Sequence, residues 1–467
     1  MTDFKPTAQQ QAVVDAAVRG ESFVTEARAG SGKTATAKLI AKALPDAKIL
    51  YLAFNKSTQV EAAASMPSNV SARTSHSMAW SIGSKYRSRM TRPMGTASRV
   101  PAWKAAQGLR VTSVNVGGEE SPANQVLRLA LGAVKRFSVS ADTSITRYHV
   151  SRVPGLEDSQ AELAAAILPV ANRCWEYIKS GHVLNVQGEN YIKIWALSRP
   201  HLYYDVILYD EAQDCQKILI GDSAQAINGW NGAVDALAKF PADARYPLSK
   251  SFRFGQAVAD EGNNWLRILG VPEDTLVEGF EKINSTVGPL DSPEAVLCRT
   301  NAGCIAAAMS YIKEGKKVAI VGGGSGIKDL AQSALQLQAG ARPTHPDLFA
   351  FKTWDEVVAY AQEDEGADLR PFVKLINDLG ADAIIEAMNS LASDKGYRDI
   401  TISTMHKSKG LEWKSVRIYS DCPQPKPLED GSPGKITAAQ AMLYYVACTR
   451  AQHELDASAL AWVSEYL

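Results

Sequence analysis

Short, unbroken apolar runs recur along the first half of the chain: Phe23-Val24, Ile49-Leu50-Tyr51-Leu52-Ala53-Phe54, Val206-Ile207-Leu208-Tyr209 and Ile218-Leu219-Ile220. A strand with one wet face alternates apolar and polar residues. Continuous runs of this length instead predict strands covered on both faces, as in a parallel sheet sandwiched between helices. The stretches from Gln9 to Val18 and from Thr34 to Leu44 have helical patterns, so the expected fold class is α/β, a doubly wound parallel sheet with its ligand at the carboxyl ends of the strands. A second series follows in Ala295-Val296-Leu297-Cys298, Lys317 to Val321, Asp399 to Ile402 and Val416 to Tyr419, predicting a second domain of the same class. Between these strands, residues 330–394 are helical in pattern and hold the acidic positions Asp355, Glu356, Glu363, Asp364, Glu365 and Asp368, which predicts a small accessory subdomain with a solvated face. The expected division is 1–80 with 160–250 as the first domain, interrupted by an inserted subdomain at 81–159. Residues 251–328 with 395–467 form the second, interrupted by the accessory segment 329–394.

Chemistry concentrates where apolar runs end. After Phe23-Val24, the string Ala27-Arg28-Ala29-Gly30-Ser31-Gly32-Lys33-Thr34 opens a helix. Glycines at these positions let backbone N–H groups of Ala29, Gly30, Ser31 and Gly32 turn toward phosphate oxygens. Lys33 supplies positive charge for the β- and γ-phosphates, and Thr34 offers a hydroxyl to magnesium. The strand Val206 to Tyr209 runs directly into Asp210-Glu211-Ala212-Gln213, which places a metal-holding carboxylate (Asp210) and a water-activating one (Glu211) in the same protein. Together the two strings imply a nucleoside triphosphate and Mg2+. The later run Gly322-Gly323-Gly324-Ser325-Gly326 carries neither the Lys nor the following Ser/Thr and is read as the exit from a strand.

Composition narrows the class. In 467 residues, 46% are hydrophobic and 21% charged, which excludes a disordered chain; no apolar run approaches the ~20 residues of a membrane span. Met1-Thr2-Asp3-Phe4-Lys5-Pro6 lacks the apolar core of a secretory signal, so an intracellular protein, cytoplasmic or nuclear, is expected. Six cysteines without a Cys-x-x-Cys pair indicate neither zinc nor a disulfide framework. Net charge is zero, yet residues 81–152 hold twelve Lys/Arg against three Asp/Glu. This basic insert reads either as a surface for a phosphate backbone or as a solvated segment, and charge alone does not separate the two.

Further strings appear in a fixed order. Asp210-Glu211-Ala212-Gln213-Asp214 and Gly221-Asp222-Ser223-Ala224-Gln225 through Gly229-Trp230-Asn231-Gly232 resemble motifs II and III of superfamily 1 helicases of the UvrD/Rep type. Gln9 resembles the adenine-reading glutamine, Ala53-Phe54-Asn55-Lys56-Ser57 motif Ia, Thr74-Ser75-His76-Ser77 motif Ib and Ser251-Phe252-Arg253 motif IV. Thr404-Met405-His406-Lys407-Ser408-Lys409-Gly410-Leu411-Glu412-Trp413 resembles motif V, and Tyr445-Val446-Ala447-Cys448-Thr449-Arg450 motif VI. The wording around Phe54 to Ser57 and Thr74 to Ala79 is most similar to the helicase part of F-box DNA helicases. No F-box precedes the motor here, so ubiquitin-ligase assembly is not expected. Asn231 and Ala35 stand where relatives often carry Arg, weakening one DNA contact and one nucleotide contact.

The resemblance implies two RecA-like motor domains with small helical insertions, closing on one ATP. Lys33, Thr34 and Asp210 with magnesium would fix the phosphates, Glu211 take the proton of water, and Gln225 sense the γ-phosphate. Arg253 and Arg450 would reach across the cleft as arginine fingers. Phe252 would stack on adenine, with Glu412, next to Gly410, at the ribose. Phe54, Asn55, Lys56, Thr74, His76, Trp230, Thr404 and His406 would form a single-strand track, Trp230 stacking on bases. A monomeric 3′ to 5′ DNA helicase in repair, recombination or replication is implied, acting on single-stranded and tailed duplex DNA with single-strand-binding or recombination proteins as partners. The alternatives are a translocase that strips recombinase from single strands and a nucleotide-gated DNA-binding module that does not turn over.

Overall fold

The computed structural model describes residues 5–467 except 54–55, 91–99, 101, 154–155, 157, 181–182, 211–217, 228–236, 238–239, 241, 346–347, 349–350, 363–368, 393–395 and 429–431. In the first domain, β1 (Phe23–Ala27), β2 (Ile49–Ala53) and β3 (Val70–Thr74) come early in the chain. After an insertion carrying the short antiparallel pair β4 (Val114–Val116) and β5 (Glu119–Ser121) come β6 (Val206–Asp210), β7 (Ile218–Gly221) and β8 (Ala244–Leu248). The six form a parallel sheet in the order β3-β2-β6-β7-β1-β8. Chain order and sheet order disagree because β1 leads outward to β2 while β7 and β8 return to flank it, which leaves a crevice at the carboxyl end of β1. The core packs Phe23, Ile49, Tyr51, Leu208 and Ile220 under Val13 of the helix Ala8–Val18 and Ile40 of the helix Lys33–Ala43.

The second sheet holds β9 (Thr286–Val287), β10 (Ala295–Cys298), β11 (Val318–Ile320), β12 (Ile400–Thr404), β13 (Trp413–Ile418) and β14 (Ala451–Asp456), in the order β11-β12-β10-β13-β14-β9. All its pairings are parallel. Both predicted α/β sheets are therefore present, and the fold is that of two RecA-like domains. On one face the helices Gln256–Ile268 and Ala438–Cys448 bury Trp265 against Tyr444, ring centroids 4.8 Å apart. On the other face the helices Ser325–Gln338, Trp354–Tyr360, Arg370–Leu379 and Ala381–Asn389 share one apolar cluster with Val296, Ile320 and Ile402 of the sheet. The accessory helices thus lean on the motor core instead of forming a core of their own. Gly322 and Gly323 take positive φ directly after β11, ahead of the helix at Ser325.

Packing carries the insertion past the boundary expected at 159. The helix Gln160–Ser180 lays Leu163, Ile167, Ala171 and Trp175 in one cluster with Val134 and Phe137 of the helix Ala123–Ser138, and Tyr191 of the helix Gly188–Leu197 joins it. Some of the insert's basic charge is spent inside. Arg89 donates to the carbonyls of Tyr177, Ile178 and Leu184, and Arg136 to that of His149. Arg128 reaches the Thr344 carbonyl beside the accessory helices. Lys85, Arg87, Lys104, Arg110, Lys135, Arg147 and Arg152 remain exposed. No helix among the described residues is long and apolar enough to cross a membrane.

Candidate active site

The phosphate loop forms because β1 stops at Ala27 and two residues in the left-handed region turn the chain: Gly30 has φ 73° and Gly32 φ 77°. A side chain at such a φ costs about 1–2 kcal/mol, which is why glycine occupies both. Ser31 N–H donates to the Arg28 carbonyl at 3.1 Å, and the helix Lys33–Ala43 begins at Gly32 with no side-chain cap, so its first N–H groups point at the loop. Lys33 Nζ folds back to the Ala27 carbonyl at 2.8 Å. The Ser31 hydroxyl is buried without a hydrogen-bond partner, a polar group that a phosphate oxygen would satisfy. These features fit a triphosphate and its magnesium, with Thr34 half-buried on the first helical turn. Asp210 ends β6, two strands from β1 in the sheet. The Asp210 side chain and Glu211 lie outside the described residues.

The segment Ser251-Phe252-Arg253 is pressed onto this loop. Phe252 N–H donates to the Gly30 carbonyl at 2.8 Å, and a Cβ on Gly30 would lie 2.5 Å from Ser251 Oγ and 2.7 Å from Arg253 Cβ. Gly30→Ala therefore displaces the loop and the arginine together. We expect KM for ATP to rise about ten- to hundred-fold in a protein that still folds, a change read directly from steady-state hydrolysis. The Phe252 ring lies 3.6 Å from where a Gly32 Cβ would be and meets Phe280 edge-on at 5.3 Å, so an aromatic face is held at the mouth of the loop.

Of the two expected fingers, Arg253 lies against the phosphate loop and Arg450 is buried near it in the second domain. Arg253 Nη1 donates to the Thr449 carbonyl at 3.2 Å, and its Nε pairs with Glu412 at 2.5 Å. Glu412, expected at the ribose, is thus the counter-ion of Arg253 and also accepts from Gln452 Nε2. Arg450 is 1% exposed and donates to the carbonyls of Val446 (2.8 Å) and Leu411 (3.3 Å) and to Thr449 Oγ1 (3.1 Å). Burial first, and then the charge of Arg253, lower the Arg450 pKa to about 9. Gln225 is 7% exposed; its Nε2 donates to Asp222 Oδ2 at 2.8 Å, and its backbone carbonyl accepts from Lys409 Nζ at 2.9 Å. Gly410 follows with φ 85°.

Gln9, the expected adenine reader, has its carboxamide on Ser249: Ser249 N–H donates to Gln9 Oε1 at 2.9 Å and Gln9 Nε2 donates to Ser249 Oγ at 2.9 Å. Its neighbour Gln10 is the buried one. Gln10 Oε1 closes a capping box on Thr7, and Nε2 reaches Thr36 Oγ1 at 3.2 Å beside Gly32. The Thr7-x-x-Gln10 spacing carried that signal in the sequence.

Of the expected DNA track, Phe54, Asn55 and Trp230 lie outside the described residues. Lys56 is exposed and donates to Gln59 Oε1 at 2.6 Å. Thr74 caps the helix Ser75–Met78 by accepting from Ser77 N–H, so its hydroxyl is tied to the backbone. His76 is exposed, its Nδ1 set by the buried Tyr191 hydroxyl at 2.8 Å. Thr404 Oγ1 accepts from Lys407 N–H at 3.3 Å, and His406 is half-buried, with its pKa lowered by burial and by the charge of Arg299.

Residues missed by the sequence reading tie the two domains together at this site: Arg28, Asp222, Lys409 and Tyr445. Asp222 and Tyr445 stood within recognised strings but were given no role. Arg28 carried no signal, since a charged residue in a phosphate loop acquires meaning only from what it reaches. Ala29, Ala224 and Ile227 of the first domain belong to the same apolar cluster as Phe254, Trp265 and Tyr445 of the second.

Two RecA-like domains meet over this phosphate loop. Residues 351–461 match the UvrD-like helicase C-terminal domain. The chain is similar to F-box DNA helicase protein 1 of Schizosaccharomyces pombe (26% identical, 96% of this chain and 57% of that protein) and to F-box DNA helicase 1 of Gallus gallus (27% identical, 97% and 49%). It spans about half the length of these curated relatives. These likenesses support a superfamily 1 helicase of the UvrD type.

Proposed function

We propose that this protein is an ATP-dependent DNA helicase that moves 3′ to 5′ along a single strand and separates duplex ahead of it. The observation that carries the reading is Arg253 packed against Gly30 of the phosphate loop while its guanidinium donates to the Thr449 carbonyl next to Arg450. Hydrolysis there needs positioning and charge neutralisation rather than covalent catalysis. The loop N–H groups and Lys33 bind the β- and γ-phosphates. Thr34 and Asp210 would hold magnesium, which neutralises phosphate charge. Glu211 accepts a proton from the water that attacks the γ-phosphorus as the bond to the bridging oxygen breaks, releasing ADP and phosphate. Arg253 and Arg450 neutralise the charge that develops, so the site is complete only when the domains are closed.

Cycles of closure and opening would ratchet a strand held by groups such as His76 and His406, with Trp230 stacking on bases. DNA as the polymer is supported by the relatives' names and by the exposed basic residues of the insert. The test is ATP hydrolysis with and without single-stranded DNA, followed by unwinding of 3′- and 5′-tailed duplexes. DNA-stimulated hydrolysis with unwinding of the 3′-tailed duplex is expected. Unwinding confined to 5′ tails would refute the polarity, displacement of a bound recombinase without strand separation would select the stripping translocase, and DNA binding without turnover would leave a nucleotide-gated binding module.

A further inference from the structure

A buried carboxylate outside the expected catalytic set holds the cleft together. Asp222 accepts four hydrogen bonds from three parts of the motor: Ala224 N–H (3.2 Å) and Arg28 Nη1 (3.3 Å) on Oδ1, Gln225 Nε2 (2.8 Å) and the Tyr445 hydroxyl (3.1 Å) on Oδ2. Ala224 and Gln225 belong to the turn after β7, Arg28 to the phosphate loop, and Tyr445 to the helix Ala438–Cys448 of the second domain. Tyr445 is fully buried, and its hydroxyl oxygen also accepts from Ala29 N–H, inside the phosphate loop, at 3.2 Å. Arg28 in turn donates from Nε to the Thr275 carbonyl, next to the second domain's 256–268 helix.

We infer that Tyr445 and Arg28 are positioning residues that set the carboxamide of Gln225 through Asp222, so that the residue expected to sense the γ-phosphate is aligned only when the second domain is docked. Gln225 can point its amide in two senses, and nothing in its own backbone chooses between them. With Nε2 bound to Asp222, the carbonyl oxygen Oε1 is the end turned away from the carboxylate, the polarity needed to accept from an attacking water. Asp222 can hold that amide only while its own oxygens are held. Two of its partners depend on closure: the phenol, which comes from the second domain, and Arg28, which is steered by Thr275. Separating the domains removes Tyr445 from Asp222 and from Ala29 in one movement, and both the carboxylate and the loop N–H lose a partner. Burial and the neighbouring carboxylate raise the phenol pKa, so Tyr445 stays a hydrogen-bond donor to Asp222 throughout the working pH range.

This inference rests on the proposed ATPase, and a double-mutant cycle tests it separately. Wild-type protein without any DNA-stimulated hydrolysis would refute the proposed function itself. Given that activity, Tyr445→Phe keeps the ring and its packing and is expected to lower kcat at saturating single-stranded DNA about ten-fold, with KM for ATP changed less than about two-fold. Gln225→Ala alone should lower kcat further, and adding Tyr445→Phe to Gln225→Ala should cost nothing more, because the tyrosine acts through the glutamine. Arg28→Met should behave as Tyr445→Phe does, with the same non-additivity. Effects that multiply in the double variants, or a Tyr445→Phe protein with wild-type kcat, would overturn the inference. Circular dichroism and a melting curve on each variant separate loss of alignment from loss of fold.

Discussion

Arg450→Met should abolish hydrolysis and leave a protein at least as stable as the wild type in the absence of nucleotide. Loss of an arginine finger lowers kcat about 10³–10⁵-fold. The stability half follows from burial. Arg450 is 1% exposed, donates only to carbonyls and a hydroxyl, and among the described residues forms no salt bridge. With its pKa lowered from 12.5 to about 9, its protonation opposes the folded state fully below pH 9, and the penalty fades as pH rises from there toward 12.5. An unbranched apolar side chain removes that penalty while filling the space, so we expect a gain of about 1 kcal/mol at neutral pH that narrows above pH 9. Thermal melting from pH 7 to 10 measures it, and a large drop in melting temperature would show that the carbonyl contacts outweigh the buried charge. The same ionisation predicts that kcat/KM of the wild type declines above about pH 9, since the free enzyme then loses the finger's charge.

Lys33→Ala is the second large effect. The ammonium closes the loop on the Ala27 carbonyl at 2.8 Å and, in the proposed mechanism, supplies positive charge to the β- and γ-phosphates. Its removal costs the fold the hydrogen bond to Ala27, about 0.5–1.5 kcal/mol. For the reaction the loss is far greater, because charge neutralisation at the transferred phosphoryl group is most of the catalysis. DNA-stimulated ATPase should fall by about 10³ while single-strand binding, measured by fluorescence anisotropy without nucleotide, stays within about three-fold of wild type. Residual hydrolysis above about a tenth of wild type would mean that the triphosphate is held elsewhere.

The strands legible in the sequence were those buried on both faces. β2, β7 and β10 are buried at every position and read as unbroken apolar runs. β3, β8 and β14 were not picked out. They mix buried and exposed positions in Val70–Thr74, Ala244–Leu248 and Ala451–Asp456, and polar residues interrupt their apolar signal. The inserted subdomain was cut too short for a similar reason. Leu163, Ile167 and Trp175 form an apolar stripe on a helix, but a stripe does not say which surface it meets, and here it meets Val134 and Phe137. The catalytic strings were legible because phosphate chemistry demands particular residue types at particular spacings.

Local sequence therefore determined the parallel α/β class, the phosphate loop and the candidates Lys33 and Asp210, since strand burial, left-handed turns and metal or phosphate ligation are encoded within a few residues, whereas Gln225, Arg253 and Arg450 were candidates through the resemblance to helicase motifs. Only the tertiary structure decided that Glu412 faces Arg253, that Gln9 turns to Ser249 while Gln10 enters the core, and that Asp222 gathers Arg28, Gln225 and Tyr445. Except for Gln225, a near neighbour of Asp222 in sequence, those partners lie tens to hundreds of residues apart along the chain. A charge or an amide has no assigned role until folding removes the water it would otherwise bond to and leaves it a single neighbour to satisfy it.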